Sequence, residues 1–279
     1  MRINRALRIG VGALAVSLAA ALTAGCGGGE KKSALENAAD GKLTIGIKFD
    51  QPGVGIRNRD GSYSGFDVEV AKYVAGKLGV QPEGITFKEA PTPQRETLIE
   101  NGQVDFIVAT YSITDARKEK VDFAGPYYIA GQSLLVKADN TEVTGSESIA
   151  GKTVCSVTGS TPAQNIQKNF PDTQLQTYDT YSLCLEGVNS GALAAVTTDD
   201  IILAGYASQS PGTYKVVGEP FTTENYGIGL KKGDDELRGK INDAIEAMFA
   251  DGSWDRAFQE TVGQAASYPT PPTPTVDRY

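Results

Sequence analysis

The sequence predicts an α/β protein of two lobes, in which each lobe is a mainly parallel sheet flanked by helices. Short runs rich in β-branched residues alternate with helical patterns between residues 42 and 109, and this βαβαβ order is typical of a parallel sheet with covering helices. The same order returns between residues 152 and 197. The 279-residue chain is long enough for two lobes of ordinary size.

The first lobe is expected to begin with a strand and a helix. In that helix Phe66, Val70 and Val74 fall on one face with helical spacing, and Gly79 follows its end. The elements predicted for this lobe are, in order, a strand at 42–47, a helix at 66–78, a strand at 85–88, a helix at 93–103 and a strand at 104–109.

The second lobe follows a strand at 133–136 that leaves the first lobe and a polar stretch at 137–148. Its predicted elements are a strand at 152–157, a helix at 162–168, a strand at 174–178, a helix at 181–189 and a strand at 194–197. Residues 226–230 are interpreted as the return to the first lobe, because the helix at 236–249 and the segment at 254–261 are followed by no second-lobe strand. Lobe 1 then comprises 42–135 and 225–263, lobe 2 comprises 136–224, and the proline-rich tail at 264–279 is extended or disordered.

The first 25 residues have the pattern of a lipoprotein signal peptide. Arg2, Arg5 and Arg8 precede an apolar stretch that is too short for a membrane helix, and L-T-A-G-C ends at Cys26. Cleavage makes Cys26 the first mature residue, and its resemblance to bacterial lipoproteins implies acylation, palmitate included, and anchoring. Residues 26–41 are then a lipidated cysteine and flexible tether, and the protein is expected on the outer face of the cell membrane.

Composition excludes several classes of function. Removing residues 1–25 takes away three of the 26 basic residues and none of the 34 acidic ones, so the formal net charge moves from −8 to −11. An acidic surface argues against a nucleic-acid partner. The chain has no histidine, which excludes serine–histidine hydrolases, cysteine–histidine proteases and the usual zinc sites. We therefore expect no catalytic residues, no cofactor and no metal.

The remaining two cysteines, Cys155 and Cys184, are predicted to form a disulfide, because an exported chain favours oxidised pairs. Closing a loop of this length stabilises the fold by roughly 3 to 4 kcal/mol in the loop-entropy model. Two buried free thiols are the alternative.

Residues 109–128 contain a candidate carboxylate site. Arg117 follows the hydroxyl residues Thr110 and Ser112. A guanidinium can hold a carboxylate with two parallel hydrogen bonds, and nearby hydroxyls can add to them. The alternative is a surface arginine that pairs with Asp115 or Glu119.

Two further loops at strand ends bear polar residues, where open α/β sheets bind ligands. Ser160 and Thr161 begin a predicted helix, whose N-terminus favours anions. Asp199 ends the next strand and is a candidate partner for an ammonium group, with Asp200 as the alternative. These two acids can instead simply cap the following helix.

Four segments together resemble the extracellular solute-binding proteins of polar amino-acid ABC importers (family 3), and most closely the actinobacterial glutamate-binding lipoproteins. They are K-F-D-Q-P-G, T-Y-S-I-T-D, V-C-S-V-T-G-S-T and A-V-T-T-D-D, and the resemblance covers residues 42–263. It implies a periplasmic-binding-protein-like (type II) fold with a two-strand hinge. It also implies that Arg117 holds the α-carboxylate of an amino acid and that Asp199 pairs with its α-ammonium.

The same resemblance bears on the side chain of the ligand. In glutamate- and aspartate-binding members a basic residue follows the first strand and an arginine precedes the helix before G-x-x-D, which here are Lys48 and Arg95, with the hydroxyl of Thr92 nearby. L-Glutamate is therefore the expected ligand, with aspartate second. Thr110 departs from the glycine that many relatives have at this position.

The resemblance implies delivery of the ligand to an ABC permease and its ATPase subunits, and we expect a monomer. Binding of glutamine or asparagine, or a role as the sensing subunit of a receptor, are alternatives. A third is an exported dehydratase-like enzyme on the same scaffold, for which Glu224 and Asp122 are the candidate proton donors.

Overall fold

The structure is a computed structural model that describes residues 31–263, 268 and 270–279. Its strands are β1 (Leu43–Ile47), β2 (Asp50–Gln51), β3 (Gly55–Arg57), β4 (Tyr63–Ser64), β5 (Ile85–Glu89), β6 (Phe106–Val108), β7 (Val121–Ala130), β8 (Gln132–Lys137), β9 (Thr153–Val157), β10 (Gln174–Tyr178), β11 (Ala195–Asp199), β12 (Tyr214–Val217) and β13 (Glu224–Lys231). Its α-helices are α1 (Ala34–Ala39), α2 (Phe66–Lys77), α3 (Arg95–Glu100), α4 (Asp115–Lys118), α5 (Thr161–Asn169), α6 (Tyr181–Asn189), α7 (Asp200–Gln209), α8 (Asp235–Ala250) and α9 (Ser253–Thr261). The predicted signal peptide and Cys26 lie outside the described residues.

Two five-stranded sheets carry the fold, and they share one topology. The first has the order β5-β1-β6-β13-β7 and the second the order β10-β9-β11-β8-β12. In each sheet the first three strands are parallel, and the fourth, β13 or β8, is antiparallel to both of its neighbours. Four strands of each sheet therefore run in one direction, which confirms the predicted fold class.

The core of the first sheet forms around α2, whose apolar positions recur at helical spacing. Phe66, Val70 and Val74 are fully buried, and the ring of Phe66 lies 5.5 Å from that of Trp254 in α9. Edge-to-face aromatic pairs of this kind add to the stabilisation that burial itself provides. Helix α2 thus fixes the first sheet against the C-terminal helices.

A disulfide joins Cys155 in β9 to Cys184 in α6, as the sequence predicted. Both residues are fully buried. The bridge therefore ties a strand of the second sheet to the helix that packs on it.

Two segments connect the sheets. Gly131 alone separates β7 from β8, and residues 218–223 lead from β12 back to β13. The two connections run side by side, since the Phe221 N–H donates to the carbonyl of Gln132 over 2.9 Å. The return crossing was predicted at 226–230, but those residues lie within β13 of the first sheet and the connection itself precedes them.

The strand predicted at 133–136 as leaving the first lobe is present as β8. It pairs with β11 and β12 and therefore belongs to the second sheet. The boundary predicted at residue 135 falls inside this strand. The first sheet instead ends with β7, which the sequence did not predict because it contains the pair Gly125 and Pro126. Proline is tolerated there because β7 is an edge strand.

Two segments predicted to lack regular packing are ordered in part. Within the predicted tether, α1 begins at a capping box between Ser33 and Glu36 and buries Ala34 and Ala38. The described part of the tail has no helix or strand, as expected of an extended segment, but it packs along β7. The Asp277 N–H donates to the carbonyl of Gly125 over 2.8 Å.

The Phe123 N–H donates to the hydroxyl of Tyr279 over 3.0 Å. Close to the other end of β7, the hydroxyls of Tyr268 and Tyr128 lie 3.4 Å apart. The tail therefore runs antiparallel to β7, along the edge of the first sheet. None of the helices in the described part of the chain is long and apolar enough to cross a membrane.

Candidate functional site

A polar cleft lies between the two sheets, where the carboxyl ends of their parallel strands meet. Its lining consists of Gln51, Thr92, Arg95, Thr110, Ser112, Arg117, Ser160, Thr161, Pro162, Tyr181, Asp199 and Ile202. Eight of the nine ligand-binding residues predicted from the sequence are in this set, and Lys48 is the exception. The first sheet contributes the two arginines, and the second contributes Ser160, Thr161 and Asp199.

Arg117 is held rigidly by its surroundings. It lies in the short helix α4, and its Nη1 donates to the Ser112 carbonyl over 2.7 Å while its Nη2 donates to the Gly159 carbonyl over 3.2 Å. Its ion pair is with Glu96 at 3.5 Å, not with Asp115 or Glu119. Burial, followed by the charge of Arg95, lowers the pKa of Arg117 to about 10. The arginine is a buried cation at the cleft and not a surface partner of its own helix.

Thr110 has a backbone conformation that few residues other than glycine adopt, with φ of 44°. Its N–H donates to Asp67 over 2.8 Å, and its carbonyl accepts from Arg95 over 3.3 Å. Asp67 also accepts from the hydroxyl of Tyr127 over 2.7 Å. Burial raises the pKa of Asp67 to about 7 despite these hydrogen bonds. The fully buried Asp67 thus positions the loop that precedes Arg117.

Residues of the two sheets meet directly across the cleft at Thr161. The hydroxyls of Ser112 and Thr161 are 3.1 Å apart, and the Thr161 hydroxyl donates to Glu224 over 2.7 Å. Ser160 is the N-cap of α5, and its hydroxyl accepts from the Ala163 N–H. The start of α5 therefore presents a hydroxyl to the cleft close to Arg117.

Asp199 and Asp200 have different surroundings. One oxygen of Asp199 accepts from the hydroxyl of Tyr226 over 2.5 Å, whereas its other oxygen, Oδ1, is buried without a hydrogen-bond partner. Burial and the nearby charge of Glu224 raise the pKa of Asp199 well above its ordinary value. The Oδ1 of Asp200 accepts from the N–H groups of Gly131 and Ile201. Asp199 therefore faces the cleft. The side chain of Asp200 instead binds the backbone at the start of α7 and at Gly131, which connects the two sheets.

Arg95 lies beside the aromatic ring of Tyr111, with the guanidinium carbon 4.0 Å from the ring centre. Its Nη1 donates to the carbonyls of Ala109 and Thr110, and its Nε is buried without a partner. Lys48 lies one layer behind the cleft, and its ammonium donates to Thr92 over 3.2 Å. Burial lowers the pKa of Lys48 to about 8.

Sequence reasoning missed several residues of this site. Gln51 lies in the K-F-D-Q-P-G segment that carries the family resemblance, but only Lys48 of that segment was predicted to bind the ligand. Glu224 and Tyr226 are two residues apart on β13 and therefore share one face of the strand, which was the available signal. Asp67 carried no signal beyond its place in the first turn of a helix.

Asp122, named from the sequence with Glu224 as a candidate proton donor, does not line the cleft. It forms ion pairs with Lys232 at 3.0 Å and with Arg238 at 3.7 Å. The structure does not bring these two acids together as an acid–base pair. The residues that the structure describes contain no group of three or more acidic, cysteine or histidine side chains able to hold a metal ion.

Comparison with known proteins confirms the resemblance found in the sequence. The family of bacterial extracellular solute-binding proteins, family 3, matches residues 43–264. The chain is 47% identical over 267 residues to the glutamate-binding protein GluB of Corynebacterium efficiens, covering 90% of this chain and 91% of that protein. It is 36% identical over 235 residues to the ABC transporter glutamine-binding protein GlnH of Bacillus subtilis, covering 83% and 85% respectively.

Among solved structures, an ancestral arginine-binding protein bound to glutamine matches the fold with a TM-score of 0.75. The two are 35% identical, and the match covers 80% of this chain and 98% of the other. The fold is therefore shared with a protein whose structure contains a bound amino acid.

Proposed function

The chain belongs to the bacterial extracellular solute-binding proteins of family 3, and on that premise we propose that it captures L-glutamate between its lobes and delivers it to a membrane permease. Its fold is the two-lobed type II arrangement of amino-acid binding proteins. Aspartate is the second candidate ligand.

The observation that carries this proposal is a pair of opposite charges in one buried cleft. Arg117 is 7% exposed and Asp199 is 3% exposed, and one oxygen of Asp199 has no partner. An α-amino acid carries a carboxylate and an ammonium on adjacent groups. We assign the carboxylate to Arg117, with Thr110, Ser112, Ser160 and Thr161 assisting, and the ammonium to Asp199.

Two further buried cations favour an acidic side chain in the ligand. Arg95 has a buried Nε without a hydrogen-bond partner. Lys48 lies behind Thr92 and forms an ion pair with Asp50 at 3.9 Å. A neutral ligand side chain would leave the buried charge of Arg95 without a carboxylate to bind, which typically costs several kcal/mol. The likeness to a protein named for glutamate supports the same choice, and the likeness to a glutamine-binding protein makes glutamine the competing ligand.

The lipid anchor at Cys26 fits delivery to a membrane partner, because it holds the receptor beside the permease and its ATPase subunits. In this proposal the mature protein is a monomer on the outer face of the cell membrane. A sensing subunit would have the same ligand chemistry, and neighbouring genes for a permease and an ATPase would favour transport.

Calorimetry of the mature protein without residues 1–26 against glutamate, aspartate, glutamine and asparagine tests the assignment. Arg117→Met should abolish binding of every amino acid. Arg95→Met should weaken glutamate at least about 100-fold, because it removes a buried charge that faces the side-chain carboxylate.

Arg57→Met is the matched control, since Arg57 forms an exposed pair with Glu89. Equal and mild effects of the two cleft variants would refute the site. If the wild type prefers glutamine, the assigned ligand changes but the protein remains an amino-acid binding protein. If the protein consumes a ligand, the enzyme hypothesis is favoured instead.

A further inference from the structure

A second buried acid, Glu224, borders the cleft through its hydrogen bond with Thr161, and the assignments above leave it unused. Glu224 is the first residue of β13 and is 7% exposed. Because side chains two residues apart share a strand face, Glu224 points to the same side as Tyr226. The hydroxyl of Tyr226 donates to Asp199 over 2.5 Å, so this face of the first sheet is directed at Asp199 of the second.

Neither acid has a cationic partner within the described part of the chain, where no ion pair involves Glu224 or Asp199. Glu224 accepts hydrogen bonds from the hydroxyls of Thr161 over 2.7 Å and Thr222 over 3.1 Å. The Oδ1 atom of Asp199 accepts none. Two buried acids close to each other resist ionising together, and a cation between them removes that penalty.

We infer that Glu224 is a second acidic residue of the ammonium subsite, so that the ligand's α-ammonium is bound by Asp199 from the second sheet and by Glu224 from the first. This inference rests on the proposed function. An ammonium group has three N–H donors, and the unpartnered oxygen of Asp199 and the carboxylate of Glu224 supply acceptors for two of them.

The arrangement has two consequences for selection. The two acids belong to different sheets, so an ammonium that binds both draws the lobes together, whereas a ligand without one leaves two carboxylates facing each other. Dicarboxylates that lack an amino group are thereby rejected, although their carboxylates suit Arg117 and Arg95.

Glu224→Gln tests this role, because glutamine keeps an oxygen that accepts from Thr161 while the charge is lost. Calorimetry should show at least tenfold weaker binding of glutamate. The melting temperature without added ligand should equal or exceed that of the wild type, since one of two facing acids has been neutralised. Glu219→Gln makes the same charge change at an exposed residue of the neighbouring crossing segment and should alter neither quantity.

Unchanged glutamate affinity in Glu224→Gln would overturn the inference. A lower melting temperature together with weaker binding would also overturn it, because that result describes a structural acceptor for Thr161. If the wild type itself binds no amino acid, the proposed function fails first, and that outcome is distinct from both of these.

Discussion

Thr110 has a left-handed backbone conformation, with φ of 44°, that glycine adopts without steric penalty and threonine rarely adopts. Here Asp67 holds the N–H and Arg95 holds the carbonyl. The two hydrogen bonds to buried charged residues therefore hold the peptide groups on both sides of Thr110 in this conformation.

Lys48 makes the proposed selection of glutamate dependent on pH. Its pKa is lowered to about 8 by burial, and a ligand carboxylate nearby favours the charged form. Glutamate affinity should therefore be complete below about pH 8 and fall as the pH rises through that value. Glutamine, which has no side-chain charge, should lack this component.

Titration calorimetry at several pH values between about 7 and 9 checks this, with the glutamine profile as the reference for every other group that titrates. Lys48→Met should make the two profiles parallel. Parallel profiles in the wild type would remove Lys48 from the side-chain subsite.

The sequence predicted best those polar residues that lie in loops at the carboxyl ends of strands. Arg117, Thr161 and Asp199 were found because the carboxyl ends of parallel strands meet at one edge of a sheet. The local sequence does not show how deeply a side chain is buried. Lys48 was therefore expected to line the cleft, but it lies behind Thr92. Glu224 was recognised as an acid, but its nearness to Asp199 arises only when the return strand meets the second lobe.

At the scale of elements, the disulfide between β9 and α6 is a covalent constraint on the second lobe. The bridged residues are 29 apart in sequence. Closing a loop of this length lowers the conformational entropy of the unfolded chain and so stabilises the folded state. Cys155→Ala with Cys184→Ala should lower the free energy of unfolding of this lobe by about 3 kcal/mol.

Urea denaturation followed by a probe in the second lobe measures this change. Reduction of the wild-type protein should produce a similar shift, and this comparison separates loss of the bridge from loss of packing at the two buried positions. Identical midpoints for the oxidised and reduced proteins would contradict the prediction.

Element boundaries followed the sequence where periodicity was strong and failed where it was interrupted. Helix α2 was found nearly to its ends because its apolar face repeats regularly. Strand β7 was missed because Gly125 and Pro126 resemble a turn in the sequence. The strand forms nevertheless, because it lies at the edge of the first sheet, where a proline is tolerated. Missing β7 also displaced the predicted lobe boundary to residue 135, since β8 then stood as the end of the first sheet.

At the scale of the whole molecule, the two lobes approach each other closely at Gly205. This residue lies within α7, and a Cβ atom there would come within 2.0 Å of the carbonyl oxygen of Pro52, which follows β2. Gly205→Ala should therefore prevent full closure and weaken glutamate binding about tenfold or more. The second lobe itself should become slightly more stable, because alanine favours a helix interior by up to about 1 kcal/mol.

Gly239→Ala is the matched control, since Gly239 also lies within a helix and a Cβ atom there meets nothing within 4 Å. It should raise the melting temperature with no change in affinity. Both quantities are measured by calorimetry, and a Gly205→Ala variant that binds as tightly as the Gly239→Ala variant would show that closure does not require this contact.

The tail along β7 bears on how the protein behaves at high local concentration. An uncovered edge strand presents free N–H and C=O groups on which another chain can continue the sheet. Here the hydroxyl of Tyr279 accepts from the Phe123 N–H, and the Asp277 N–H donates to the carbonyl of Gly125. Pro271, Pro272 and Pro274 of the tail have no N–H to offer a further strand. The tail therefore leaves fewer groups of this edge free to pair with a second copy of the chain.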